Sequence, residues 1–472
     1  MAGAPMWSET IRSSLSVAKS AAQPERVSLG CDHGALYPSR QPRGALSLSR
    51  LDHEAMQRAS IAGPGGLARR RQQAWEIYEK LAMPSSTEEV WRYVDLDFDL
   101  AELELANGAG IPLSRPEDGI AAGIGNPSGV ASIVDGTVTT AQSASAATVT
   151  SVGEVGDDGW IDARYGTLVH ADLDKFSAAH VAFSHDGLVV KVPSGVALAE
   201  PVYVDVQATG DALSLPHVVV DCEDGAEASV VVNYRSGDET AAVVVPHLEL
   251  HLGDGVNLAV SLVQNWGYRT VGIAQARARV GRDSTLRLAE AGLGGKLARF
   301  QLAIDLEGRG SSAHVIGAYF GERDQVLDYR YLMHHAGLNT SSDMFLKGAV
   351  EDTALSVFTG LIRIDEGAQR TDAYQTNRNL ILSEGAAAQS VPNLEILAND
   401  VKCGHGSTVG PLDAEQRYYL MSRGLERTAA DRLQVRGFFE DALGRFPDQR
   451  VAEPIRRWIN GKFLTAQREG RV

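Results

Sequence analysis

Between residues 165 and 411 the chain is punctuated by turns at a nearly even interval, and that interval restricts the fold more than any other feature. Short β-rich runs at 228–234, 257–263, 285–289 and 313–319 each follow a turn signal: Asp224-Gly225, Asp254-Gly255, Arg282-Asp283 and Arg309-Gly310. The steps from 225 to 255, 255 to 283 and 283 to 310 are 30, 28 and 27 residues, and the later turn residues Asp352, Gly367 and Gly385 step by 15 and 18. Strands at a loosely fixed period, with no helical spacing between them, indicate a solenoid rather than a βαβ sheet. In a solenoid each rung pairs with the rungs above and below, so the core is continuous and only the two ends need covering. A β-sandwich is the rival on pattern alone.

Different textures flank this core. Residues 1–65 are rich in Ser, Ala, Gly and Arg without a sustained apolar period, and read as a disordered N-terminal extension. Residues 66–105 read as an N-terminal helical domain. Ala74, Ile77, Tyr78 and Leu81 form one apolar face, Pro84 stops the helix, and residues 85–96 suggest a second, capped helix with Trp91 and Tyr93 in the core. Residues 106–164 are Gly, Ala, Ser and Thr with Pro112, Pro116 and Pro127, which reads as a linker or loosely packed strands. The β core spans 165–411. Residues 412–472 are helical again: Asp413 with Gln416 resembles a capping box and Gly424 a stop. Two apolar stripes follow, Val435, Phe438, Phe439, Ala442, Leu443 and Phe446, then Val451, Ile455, Trp458, Ile459 and Phe463. Part of that surface is expected to cap the open end of the solenoid; the further stripe either packs within the domain, the commoner outcome, or forms a partner-binding face.

Composition narrows the function. A formal charge of −16 disfavours nucleic acid, whose phosphates need clustered Lys and Arg. No apolar run approaches the ~18 residues of a membrane helix, so no membrane association is expected. The first residues lack a basic start followed by an apolar block, and three cysteines in 472 residues argue against a disulfide framework. A cytoplasmic location is the expectation.

Catalytic signatures are weak. The nearest string to a phosphate loop, Gly292-Leu-Gly-Gly-Lys-Leu297, lacks the first glycine at the required offset and has Leu297 where a hydroxyl is needed. No Gly-x-Ser-x-Gly elbow is present. The rings of adjacent His334 and His335 would face opposite sides of a strand, and the run Arg363, Asp365, Arg370, Asp372 and Arg378 reads as salt-linked strand faces. Cys403 and His405 differ, because a spacing of two puts thiol and imidazole on one strand face. Two ligands do not complete a metal site. A second pair, Cys31-Asp-His33, could in principle join them in a Cys₂His₂ zinc site. The bland reading is a small buried cysteine beside a turn histidine.

The residues around that pair carry a resemblance. Gln375-Thr-Asn-Arg-Asn379 with Leu382-Ser383, then Pro392-Asn-Leu-Glu-Ile396, then Asp400-Val-Lys-Cys-Gly-His-Gly-Ser-Thr-Val-Gly410, resemble the SufB/SufD scaffold family of the SUF iron–sulfur cluster assembly system. Glu89-x-Trp91-Arg-Tyr93-x-Asp95 resembles its N-terminal motif, where the family uses the region structurally. SufB proteins carry a cysteine just before the triplet that here is Leu380-Ile-Leu382. Thr376-Asn-Arg-Asn379 stands there instead, so the resemblance is to the SufD branch.

The resemblance implies a right-handed parallel β-helix flanked by N-terminal and C-terminal helical domains. It implies a non-catalytic scaffold in a SufB–SufC–SufD complex. The SufC ATPase would contact the C-terminal helical domain. The SufB paralogue would form a heterodimer, at whose junction Cys403 and His405 share a transient iron–sulfur cluster. No cofactor is then bound tightly by this chain alone, and a flavin in the complex or a homodimer of the isolated chain is left open. The enzyme-class rival is a β-helix polysaccharide lyase or hydrolase, which needs clustered carboxylates or basic residues on one solenoid face. A third reading is a stand-alone zinc-binding structural protein.

Overall fold

The computed structural model describes residues 50–62, 66–106, 108, 110–114, 119–156 and 158–468. Cys31, His33 and most of the expected N-terminal extension lie outside the described residues.

The core is a flattened parallel β-solenoid. Each coil contributes one strand to each of two sheets, as Ser312–Gly321 and Val326–His335 do. Register fixes the coil length. Asn257 pairs with Thr285, Thr285 with Ser312, Ser312 with Ser341, Ser341 with Asp372 and Asp372 with Lys402. The sequence period near 30 is therefore one full coil, and the steps of 15 and 18 are half coils between opposite sheets. The turns recur because each needs a left-handed residue, a conformation that Gly, and less readily Asp or Asn, adopts at small cost, although Arg323 and Arg370 take it too, at φ 58° and 60°. Gly225, Gly255 and Gly310 lie at φ 70°, 68° and 75°, while Asp283, Asn339 and Asp352 lie at 55°, 56° and 57°.

Alternation along each strand separates two cores. In Ser312–Gly321, Ala313, Val315 and Tyr319 point inward to the solenoid interior, whereas Ile316, Ala318 and Phe320 point outward. Both alternate sets are apolar, so each broad face must be covered. Helices α1 (His53–Ala62), α2 (Leu67–Lys80) and α5 (Lys175–Phe183) cover outward residues of one sheet, among them Leu215, Val245 and Ile273. Near the first coils α4 (Asp158–Arg164) covers Val189 and Val219. Helices α7 (Arg427–Leu443) and α8 (Gln449–Arg468), with α3 (Ile120–Ile124), cover the opposite sheet. Lys347 pins α7 there, with its ammonium 2.9 Å from the Asp441 carboxylate and donating to the Phe438 carbonyl.

Four expectations need correction. Residues 53–62, counted with the disordered extension, form α1 and bury Ala55, Met56 and Ala59. Residues 85–96 contain a single 3₁₀ turn, Glu89–Trp91, rather than a helix, because Ser85–Glu88 is spent on a turn in which the Glu88 carboxylate accepts from the Ser85 amide. Trp91 is nevertheless core. Within 106–164, read as a linker or loosely packed strands, Gly129–Val134 is a rung of the solenoid, pairing in parallel with Val202–Ala208 and largely buried. Its small residues hid a short strand that packs well in a tapering first coil. Two antiparallel strands, Thr137–Ser143 and Thr148–Ser151, close this end of the two sheets. Finally, the C-terminal helices lie along the flank of the solenoid, drawn by the outward apolar stripe, and do not cap its far end.

Candidate metal centre at the open end of the solenoid

The last coil consists of Ala387–Ile396 in one sheet and Lys402–Gly410 in the other, and each is the terminal strand of its sheet. Among the described residues no strand pairs with their outer edges, and edges of this kind are ones proteins usually protect. The same end exposes Val391, Ile396, Leu397 and Val409. Beyond it, α6 (Ala414–Ser422) starts on the Asp413 cap, which accepts from the Glu415 and Gln416 amides, and buries none of its side chains. Tyr418 is 76% exposed.

Cys403 and His405 lie on Lys402–Gly410 and pair with Ala373 and Gln375 of the preceding coil. Ala373 belongs to the interior core, and Gln375 reaches across the interior to donate to the Asn393 carbonyl at 3.0 Å. Cys403 and His405 therefore project into the mouth of the solenoid, about 6.6 Å apart along the strand. Cys403 is half-buried against the core, and His405 is exposed. Ser407, next on the same face, hydrogen-bonds to Ser390 of the facing strand at 2.8 Å and ties the two lips together. Thiol and imidazole at an open rim can supply two ligands and leave the remaining positions to whatever docks there.

Burial pushes the Cys403 thiol above its ordinary value of 9.0. In the isolated chain it is a protonated thiol at neutral pH, and becomes a thiolate ligand only when a metal displaces the proton. Peptide-resolved alkylation of the native chain is expected to modify Cys403 slowly at pH 7 and faster as pH rises through 9. Cys222, almost fully buried with its thiol pushed up to about 12, is expected to stay unmodified throughout. Equal labelling of the two would contradict the geometry.

Inside the preceding coils is a polar layer that sequence reasoning did not find. Asn377 and Asn379 of the Thr376–Asn379 motif both point inward. The Tyr319 hydroxyl donates to Asn379 Oδ1 at 2.6 Å and accepts from Asn377 Nδ2 at 3.0 Å. Glu290 and Tyr331 lie in the same interior, their oxygens 3.4 Å apart. Desolvation pushes the Glu290 carboxyl up to about 8, from an ordinary 4.5. The folded chain thus binds a proton between about pH 4.5 and 8 that the unfolded chain releases, so Glu290 lowers stability progressively as pH rises through that window. Glu290→Gln is expected to flatten that part of the pH–stability curve. An unchanged slope would show that Glu290 is ionised in the fold.

The other candidates resolve structurally. His334 and His335 face opposite sides of their strand. His334 lies 2.9 Å from both Asp305 and Asp365, and His335 bonds inward to Thr340 and Ser342. Arg363 pairs with Asp365 and Glu395, and Arg370 with Asp400. The Gly292–Leu297 string connects two strands, not a strand and a helix, and Lys296 is held by Asp97 at 2.6 Å.

The fold is that of a parallel β-solenoid protein flanked by helices, and sequence comparison gives its family. Residues 205–438 match the model of the SUF system FeS cluster assembly SufBD core domain. An iron–sulfur cluster assembly SufBD family protein of Mycobacterium tuberculosis is 34% identical over 291 residues, covering 60% of this chain and 72% of that protein. SufD of Bacillus subtilis is 30% identical over 61% of this chain and 66% of its own length. SufD of Escherichia coli is 28% identical over 50% of this chain and 56% of its own. The chain belongs to the SufBD family of the SUF iron–sulfur cluster assembly system. Among the described residues, no helix is long and apolar enough to cross a membrane.

Proposed function

We propose that this chain is the SufD-type scaffold of a SufB–SufC–SufD complex. In it the open end of the solenoid docks on the SufB-like paralogue, and Cys403 and His405 supply ligands to a cluster built in the shared interface. The observation that carries this reading is the uncapped last coil, with two free edges, exposed apolar residues and both candidate ligands at one rim. Edge strands of two such solenoids can pair as rungs do within one. Where the paralogue is absent, the same edges are expected to pair with a second copy of this chain. The reading makes the chain itself non-catalytic and cytoplasmic, with cluster as cargo and no tightly bound cofactor. Nucleotide hydrolysis would come from an ATPase partner that contacts the C-terminal helices, for which the exposed Tyr418, Tyr419 and Met421 of α6 form a suitable face. Membership of an assembly family leaves the carbohydrate-enzyme reading without support.

Co-purification of the tagged chain from its native cells tests this. The full-length chain is expected to bring down a SufB-like paralogue and an ATPase. Truncation at Asp413 is expected to lose the ATPase while keeping the paralogue, and Val409→Lys to weaken the paralogue while keeping the ATPase. Recovery of the full-length chain alone would overturn the proposal.

A further inference from the structure

Away from the open end, three histidines meet beneath α5 on the outer face of the sheet. His217 and His247 are the first residues of strands His217–Cys222 and His247–Leu252 and pair directly in register. His180 comes down on them from α5. All three are at most 3% exposed. One ligand nitrogen from each lies within 4.8 Å of the other two.

The hydrogen bonds decide which nitrogens carry protons. His180 Nδ1 lies 2.8 Å from the Val245 carbonyl, which can only accept, so that nitrogen is the donor and a neutral His180 presents a lone pair at Nε2. His217 Nε2 faces the Glu249 carboxylate at 3.7 Å. Glu249 accepts four backbone amides, from Gly166, Thr167, Leu168 and Val169. Four amide donors on its two oxygens are what an acceptor-only carboxylate takes. In a neutral His217 the proton sits at Nε2, toward that carboxylate, which leaves a lone pair at Nδ1. His180 Nε2 and His217 Nδ1 then face each other, lone pair to lone pair, at 3.1 Å. His247, stacked on His180 at 3.5 Å, has no hydrogen bond at either ring nitrogen.

A metal ion answers what the hydrogen bonds leave open, two facing ring nitrogens and a His247 with no partner. Nitrogens bound tetrahedrally at about 2.05 Å stand about 3.3 Å apart, close to the 3.1 Å between His180 Nε2 and His217 Nδ1, and His247, whose ring lies 12° from parallel to His180, turns out of that stack to bring a nitrogen onto the same ion. His180 also carries the outer backbone-carbonyl partner typical of a metal-bound imidazole, and His217 turns its second nitrogen toward the Glu249 carboxylate 3.7 Å away. The geometry points to a buried site for a borderline divalent ion such as Zn²⁺ or Fe²⁺, ligated by His180, His217 and His247, that fastens α5 to two successive coils. It is separate from the open rim that holds Cys403 and His405. Because the site is closed, the ion enters as the chain folds.

The test uses the full chain, unfolded and refolded in chelator-treated buffer with or without one equivalent of Co²⁺ or Zn²⁺. The expected result is one Co²⁺ per chain with the intense visible absorption of four-coordinate cobalt, no thiolate charge-transfer band, and a higher unfolding temperature with either metal. A variant combining Cys31→Ser, His33→Ala, Cys403→Ser and His405→Ala is expected to keep that signal. His247→Gln is expected to weaken binding by at least about 100-fold, with His180→Gln as the second variant should the first not fold. A folded wild-type chain that takes up no cobalt, a signal lost in the fourfold variant, or one that survives either histidine change would overturn the assignment.

Discussion

Replacing Cys403 and His405 together by alanine is expected to abolish iron–sulfur cluster assembly by the SUF complex in cells while leaving the chain folded and in the complex. His405 is exposed and Cys403 half-buried on a terminal strand, so the pair contributes little to the core, and the stability change should stay within about 1 kcal/mol. The functional loss comes from ligation. A cluster in an interface needs its ligands from both sides, and neither side chain has a substitute among its neighbours on the strand: Lys402, Gly404 and Gly406 cannot coordinate from that face. The single variants should separate the roles. Cys403→Ser would remove the thiolate and retain its volume, and His405→Ala would remove the imidazole. Activity of apo-enzymes that depend on SUF-made clusters, measured alongside complex recovery, checks this. Unimpaired assembly in the double variant would remove Cys403 and His405 from the chemistry.

The largest effect on stability is expected at Trp91. This residue is 2% exposed, its ring lies 5.5 Å from Phe176, and the buried Arg299 guanidinium sits 3.9 Å above its face. Arg299 is paired with Asp328, itself fully buried. Trp91 thus does two jobs. It fills the space between the N-terminal segment and α5, and it covers a buried ion pair with a π face. Trp91→Ala removes both and is expected to cost about 3–5 kcal/mol from the cavity alone. The lost cation–π contact, worth up to about 2 kcal/mol when desolvated, adds to that. Trp91→Phe retains a ring for Arg299 and should recover more than half the loss. Urea denaturation with an unchanged slope measures it. A change below about 1 kcal/mol for alanine would mean that the N-terminal segment docks independently of this residue.

These two sites were legible to different degrees. Cys403 and His405 could be placed on one strand face from their spacing, and the coil length could be read from turns marked by Gly and Asp, whereas Arg323 and Arg370 hold the left-handed position with no such mark. What the spacing could not give was the side of the strand that faces inward, since both alternate sets are apolar in the middle coils: Val315 and Ile316 look alike in sequence and enter different cores. That ambiguity is also why the C-terminal helices were expected at the end of the solenoid and are found on its flank. The outward stripe from Ala289 to Ala349 outcompetes the mouth, whose residues are polar or half-exposed. The strand Gly129–Val134 escaped notice because Gly, Ala and Ser dilute its alternation. The histidine cluster left a signal that could have been found. His217 and His247 are 30 residues apart, one coil, so the solenoid period alone stacks them. Only α5, whose docking no local pattern specifies, brings His180 to the pair.

The central claim is that this chain places an imidazole on the cluster. Labelling this subunit alone with ¹⁵N-histidine, assembling the complex with its paralogue and ATPase, loading it with iron and sulfide and recording pulsed EPR of the reduced cluster tests it directly. The account predicts a ¹⁵N coupling to the cluster that vanishes with His405→Ala and persists with His247→Gln. A cluster present at full occupancy with no ¹⁵N coupling from this chain would contradict it.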